Sequence, residues 1–359
     1  MKIKYILPLI LAGAMFGCSD DSSNSTAADP NAQPGDPSAC VDPNGCANPA
    51  TSSASVDPLT SSASVDPLTS SASVDPLASS ASVDPLASSA SVDPNAQQSV
   101  DPNAVAYKVP TLTELDPTKE YTFYGCELTG KEQFKYGRFE ARMKMAAISG
   151  SVSSMFLNYD NSWMKGAEPW NEIDIEVLGK DPTSWQSNII TREPDTDGKT
   201  NKNITSEKVH TYGFDATSEF HLYAIVWTPE YIAWEIDSVE VRRDVVGNPD
   251  GLAHDQVAFM TEMQSLRFNL WASKTPSWTG KFTGIGLPVE QQIDYVRVYK
   301  YDEATKGFTF YWQDDFDGDD IEFERWSAGS WEMEKVQYRP DNLVVQNGMV
   351  HIILDYEAH

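Results

Sequence analysis

Basic residues are scarce in this chain: 26 Lys and Arg stand against 53 Asp and Glu, a net charge of −27 over 359 residues. A nucleic acid or an anionic membrane face needs a cationic surface, so neither is a partner by charge. Histidine and cysteine are scarce too, with five and four. His210, His221, His254, His351 and His359 show none of the spacings of a metal site. Cys40 and Cys46 lie close enough to form a short-loop disulfide in an oxidising compartment. Cys126 has no histidine near it in sequence and is expected as a buried thiol, not a nucleophile. Amphipathic helices of ten residues or more are also missing, which leaves strands to build the fold.

What is present divides the chain in three. Lys2 and Lys4 precede the apolar run Tyr5 to Phe16, and Gly17-Cys18 precede a polar break at Ser19-Asp20-Asp21. That is the pattern of a signal peptide, too short to span a bilayer. A small residue followed by cysteine suits a lipoprotein cleavage site, with Cys18 as the lipidated residue and the only membrane attachment. The product is then an exported protein, surface-anchored or secreted. Residues 19–104 are mostly Ser, Ala, Asp, Pro and Asn, with Val-Asp-Pro recurring from positions 56, 65, 74, 83 and 92. A nine-residue polar unit has no face to bury, so it predicts a disordered, extended tether rather than a solenoid.

Residues 105–359 read as one β domain. Alternation predicts strands at Tyr136–Met145, Phe220–Trp227 and Tyr231–Ile236, the last two joined by a tight turn at Thr228-Pro229-Glu230. Further strands are expected at Leu266–Trp271, Ile293–Tyr301, Phe308–Gln313 and Leu343–Leu354. Many short strands at this length favour an all-β, two-sheet jelly-roll sandwich.

The most informative stretch is Trp170-Asn-Glu-Ile-Asp-Ile-Glu-Val-Leu-Gly-Lys180. Alternation puts Glu172, Asp174 and Glu176 on one face and Ile173, Ile175 and Val177 on the other. Three adjacent like charges give a strand no stability, so the row reads as a working site; the alternative is the polar outer face of an edge strand. Two glutamates flanking an aspartate suit cleavage of a glycosidic bond. One carboxylate attacks or stabilises the sugar cation, a protonated partner feeds the leaving oxygen, and the aspartate keeps the two in different charge states. A neutral polysaccharide is indifferent to the negative charge, and ten Trp and fifteen Tyr supply stacking surfaces.

That motif, together with Tyr136-Gly-Arg-Phe-Glu-Ala-Arg142, Phe220-His-Leu-Tyr-Ala-Ile-Val-Trp-Thr-Pro229 and Asp294-Tyr-Val-Arg-Val-Tyr-Lys300, closely resembles glycoside hydrolase family 16, and most of all its bacterial licheninases, which cut mixed-linkage β-1,3-1,4-glucan. The resemblance covers about residues 120–359. It implies a concanavalin A-like jelly roll with Glu172 as nucleophile, Glu176 as acid/base and Asp174 assisting. The regular Glu-x-Asp-x-Glu spacing matches licheninases and xyloglucan-active relatives; enzymes acting on laminarin usually carry an extra residue and a bulge. The segments Trp312-Gln-Asp-Asp-Phe-Asp317, Trp326 and Asn342–Met349, which usually come first in the family, close this chain. That implies a circular permutation with its joint at 301–307.

Matched position by position, the resemblance implies substrate contacts at Glu127, Phe156, Trp170, Gln186, Asn188, Arg267, Asn269, Trp271, Trp278 and Trp331. Asn158 stands where the permuted licheninase has tyrosine. The family needs no cofactor for its chemistry. Many licheninases carry a structural calcium, for which Asp294, Asp315 and the carbonyl of Gly348 are the implied ligands. Nothing in the pattern calls for a second subunit, so a monomer is expected. A β-glucan on laminarin or xyloglucan lines, or a glucan-binding surface lipoprotein without activity, are the rival readings.

Overall fold

The computed structural model describes residues 105–164, 168–194, 201–247, 252 and 254–359. The leader, Cys18, the Cys40–Cys46 pair and the repeats lie outside the described residues.

In chain order the strands are β1 (Tyr121–Phe134), β2 (Gly137–Lys144), β3 (Ser151–Asn158), β4 (Trp170–Leu178), β5 (Ser184–Arg192), β6 (Ile204–Thr205), β7 (Lys208–Thr211), β8 (His221–Trp227) and β9 (Tyr231–Ile236). There follow β10 (Val239–Val245), β11 (Gln264–Ala272), β12 (Val289–Asp302), β13 (Gly307–Asp314), β14 (Trp326–Ala328), β15 (Glu332–Met333), β16 (Val336–Tyr338), β17 (Leu343–Gln346) and β18 (Met349–Ala358). The two α-helices among the described residues, α1 (Gln256–Phe259) and α2 (Pro276–Thr279), are single turns.

Two antiparallel sheets form a jelly-roll sandwich. One runs β14–β1–β11–β3–β4–β5, with β6 and β7 on its outer edge. The other runs β10–β9–β8–β2–β12, and β12 continues onto β18 at its start and β13 at its end. The sheets merge where Tyr121–Tyr124 of β1 pair with Asp355–Ala358 of β18. Between them lies the core: Ile173, Ile175 and Val177 of β4 face Trp227, Trp234, Phe139 and Val298, all fully buried. Cys126 is buried there as expected, and burial pushes its thiol up to about 12.

The hairpin at Thr228–Glu230 forms as anticipated, with Thr228 Oγ1 accepting from the Glu230 and Tyr231 amides. The single strand expected over Leu343–Leu354 is instead the β17–β18 hairpin, turning at Asn347-Gly348 with φ of 56° and 69°. Asn-Gly suits this two-residue turn because both positions need positive φ. The C-terminal strands are not an appendage: β14, β16 and β18 pair with β1, while β13 and β18 pair with β12.

Candidate active site

The register of the first sheet assembles the site in three rows across its strands. Glu127, Asn269, Ser154, Glu176 and Gln186 are successive cross-strand partners on β1, β11, β3, β4 and β5. Thr129, Arg267, Phe156, Asp174 and Asn188 form the next row, and Ser265, Asn158, Glu172 and Ile190 the third. Cross-strand neighbours stand about 5 Å apart at Cβ, so residues distant in sequence share one surface. The pairing of β4 with β3 and β5 runs without a shift through Glu172–Glu176, so the acid row lies on a regular, unbulged strand.

All three acids are buried: Glu172 and Asp174 are 3% exposed and Glu176 8%. Burial is the main cause that raises all three. What differs is the compensation. Glu172 Oε2 accepts from Asn158 Nδ2 at 2.8 Å and from the Trp170 indole, and Asp174 and the Arg267 charge also favour its ionised form. Against these its carboxyl rises only to about 7. Glu176 has one donor, Gln186 Nε2 at 3.0 Å, and feels the charge of Glu172, which together with burial takes it to about 8. Asp174 is pushed well above its ordinary value by burial, by the charges of the two glutamates and by its hydrogen bond with Glu172. The site therefore holds one carboxyl prepared to ionise, one prepared to stay protonated, and between them an aspartate whose neutral form is favoured.

The walls are fixed by a polar network. Arg267 donates to Glu127 at 3.2 Å, to Asp160 at 2.7 Å and to Ser265 at 2.9 Å. Gln186 is oriented by Trp278, whose Nε1 donates to its Oε1 at 3.1 Å. Trp278 and Trp331 are half-buried, whereas Trp271 is 1% exposed and packs beneath Trp278 with ring centres 5.9 Å apart. Trp271 thus supports the site instead of offering it a face. Trp331 packs on Tyr338, near Gly329, whose amide donates to the Glu127 carbonyl. Asn188 is 5% exposed, and its Oδ1 accepts from the Ser206 amide.

Sequence reasoning did not single out the support behind the acid strand. Trp234 Nε1 donates to the Asp174 carbonyl at 2.9 Å, and the Arg242 guanidinium lies 4.4 Å over the Trp234 ring. Arg242 also donates to Ser187 O at 3.0 Å, between Gln186 and Asn188. It is the one buried residue of β10, and that burial of a lone arginine in an exposed edge strand was no visible signal in the sequence.

The carboxylates expected as calcium ligands have protein partners of their own. Asp294 is held by Arg142 at 2.6 Å, and the Asp315 carboxylate accepts from Gln313. Gly348 does adjoin the acidic loop: a Cβ added there would stand 3.8 Å from the Asp315 carbonyl and 3.6 Å from Asp317 Oδ1. No cluster of three or more His, Cys, Asp or Glu able to hold a metal occurs among the described residues.

With this geometry in view, comparison with known proteins is decisive at the level of family. Residues 92–297 match the profile of glycosyl hydrolases family 16. The chain belongs to that family. It is a glycoside hydrolase. A β-glucanase of Fibrobacter succinogenes is 42% identical over 257 residues, covering 70% of this chain and 68% of that one. A β-glucanase of Brevibacillus brevis is 34% identical over 48% of this chain and 58% of its own. Among solved structures, a Bacillus licheniformis β-glucanase is 29% identical over 43% of this chain and 62% of that chain, with a TM-score of 0.34.

Proposed function

We propose that this family 16 enzyme is an endo-β-glucanase that hydrolyses mixed-linkage 1,3-1,4-β-glucan with retention of configuration. The observation that carries the reading is the unequal treatment of two buried glutamates on one unbulged strand. Glu172, with its several donors, attacks the anomeric carbon; Glu176, kept protonated, feeds the glycosidic oxygen and afterwards takes the proton of the incoming water. Asp174 holds its proton beside Glu172, which steadies that carboxylate in the resting site. Four residues of strand separate the two glutamates by roughly 13 Å at Cα, so their side chains lean toward one another to reach the roughly 5 Å that a retaining pair needs.

The β-glucanase relatives support a β-glucan substrate, and the regular Glu-x-Asp-x-Glu spacing supports the mixed-linkage choice. The family match ends at residue 297 while β13 to β18 complete the same sheets, which supports a permuted order of the jelly roll. The leader pattern supports export with a lipid anchor at Cys18, acting as a monomer on polymer outside the cell. A structural calcium would sit on the carbonyls of the Asp315–Gly348 region with Asp317; chelation by EDTA should then lower Tm by several degrees, and an unchanged melt removes it from the account.

Reducing-sugar release from barley β-glucan, lichenan, laminarin, xyloglucan and carboxymethylcellulose tests the assignment. The first two should be cut fastest. Preference for laminarin or xyloglucan would replace the mixed-linkage reading, and binding without release of ends from any of them would mark a glucan-binding protein.

A further inference from the structure

Nine of the ten tryptophans have a ring or cation partner. Trp170 lies under Arg192, Trp234 under Arg242 and Trp227 against Tyr136. Trp185 packs on His210 and Tyr212, Trp271 on Trp278, Trp312 on Trp326 and Trp331 on Tyr338. Trp163 alone has no such partner among the described residues, its indole N–H donates to none of them, and at 45% it is the most exposed tryptophan.

This exposure is built, because the turn that carries Trp163 is tied down on both sides. Ser162, its neighbour, is 1% exposed, and its carbonyl accepts from Arg192 Nη2 at 2.7 Å. Its hydroxyl accepts from the Asn171 amide at 3.3 Å, and its own amide donates to the Tyr159 carbonyl at 2.9 Å. Two residues earlier, Asp160 reaches back onto the catalytic face, accepting from Arg267 and from Ser265 at 2.6 Å. The segment also joins the ends of β3 and β4, the strands that supply Asn158 and Trp170 to Glu172. A large apolar ring is thus held by a tied-down turn at the Glu172 end of the site, and none of the described residues covers it.

We infer that Trp163 is a sugar-stacking wall of the cleft on the Glu172 side, binding a pyranose ring of the β-glucan chain. The inference rests on the glucanase reading above. The occupant follows from continuity with the acid row: Trp163 lies in the connection that follows Asn158, the cross-strand partner of Glu172, and the apolar face of a pyranose matches an indole as a nucleobase matches an aromatic platform. Binding energy of this kind appears in substrate affinity, not in the chemical step, since stacking is the same in the ground state and the transition state.

The test compares the full secreted chain with Trp163→Ala and Trp163→Phe on barley β-glucan, by steady-state kinetics and by retardation in gels containing the same polymer. Trp163→Ala should raise KM at least fivefold with kcat within twofold, and lose most of the retardation. Trp163→Phe, which keeps an aromatic face and guards against misfolding as the explanation, should recover most of both. If the wild type cuts the polymer and Trp163→Ala keeps its KM and retardation, Trp163 is no subsite, whatever becomes of the glucanase assignment. If the alanine variant loses kcat with KM unchanged, or phenylalanine restores nothing, stacking is likewise refuted. A wild type that neither binds nor cuts the polymer overturns both readings together.

Discussion

Each acid on β4 owes its role to its own neighbours more than to its type. Glu172→Gln keeps an acceptor for Asn158 and Trp170 while removing the attacking carboxylate, so hydrolysis should fall on the order of a thousand-fold or more. Its fold should be stabilised, and the sign can be worked out. The carboxyl rises from 4.5 to about 7 on folding. Between those values the unfolded chain releases a proton that the folded chain retains, so wild-type stability declines as pH rises through that window. The variant lacks this loss, and its Tm advantage should therefore widen from pH 4.5 to pH 8. Glu176, near 8, should set the alkaline limb of the rate profile, because activity requires its protonated form. In Glu176→Ala that limb should flatten, with aryl glycosides bearing good leaving groups spared. Equal losses on good and poor leaving groups would contradict the assignment.

Among the elements, β4 and β5 are held from behind by the second sheet. Arg242→Met removes the guanidinium between Trp234, Ser187 and Asp244. The cost should be about 2–3 kcal/mol in denaturant unfolding, below the range for fully buried pairs because Asp244 remains partly solvated. The rate profile should also move, since the Arg242 charge opposes the rise of Asp174; a change in stability with an unaltered profile would reduce Arg242 to a structural strut. Elements with clean alternation, such as β2, β8 and β9, were legible in the sequence, as was β4. β3 and β5 are buried as β4 is along nearly their whole length, but their sequences do not alternate apolar with charged residues and show no period of two to read. Phe156, Gln186 and Asn188 could be named only through family resemblance. The Asn347-Gly348 hairpin was visible in principle, and an apolar stretch on both sides of it hid the break.

At the scale of the molecule, the strands from 307 onward close the sandwich. Truncation at about residue 303 would strip β18 from both β1 and β12, exposing Val350, Ile352 and Leu354, which are fully buried. It should unfold the domain, as circular dichroism and proteolysis would report; a soluble, active product would make residues 308–359 a separate module. A chain beginning at residue 105, by contrast, should match the turnover of the full chain on soluble glucan, because the repeats offer no apolar surface for a subsite. A several-fold drop would place the repeats in contact with substrate.

The central claim is the division of labour between Glu172 and Glu176, and the anomer of a trapped product tests it most directly. With azide and an aryl β-glycoside of the preferred glucan, Glu172→Ala should release the α-glycosyl azide, because azide replaces the missing nucleophile in a single inversion. Glu176→Ala should release the β-azide, because azide then intercepts the intermediate on Glu172. Proton NMR distinguishes the two products. The reverse pattern, or an α-azide from both variants, would contradict the account.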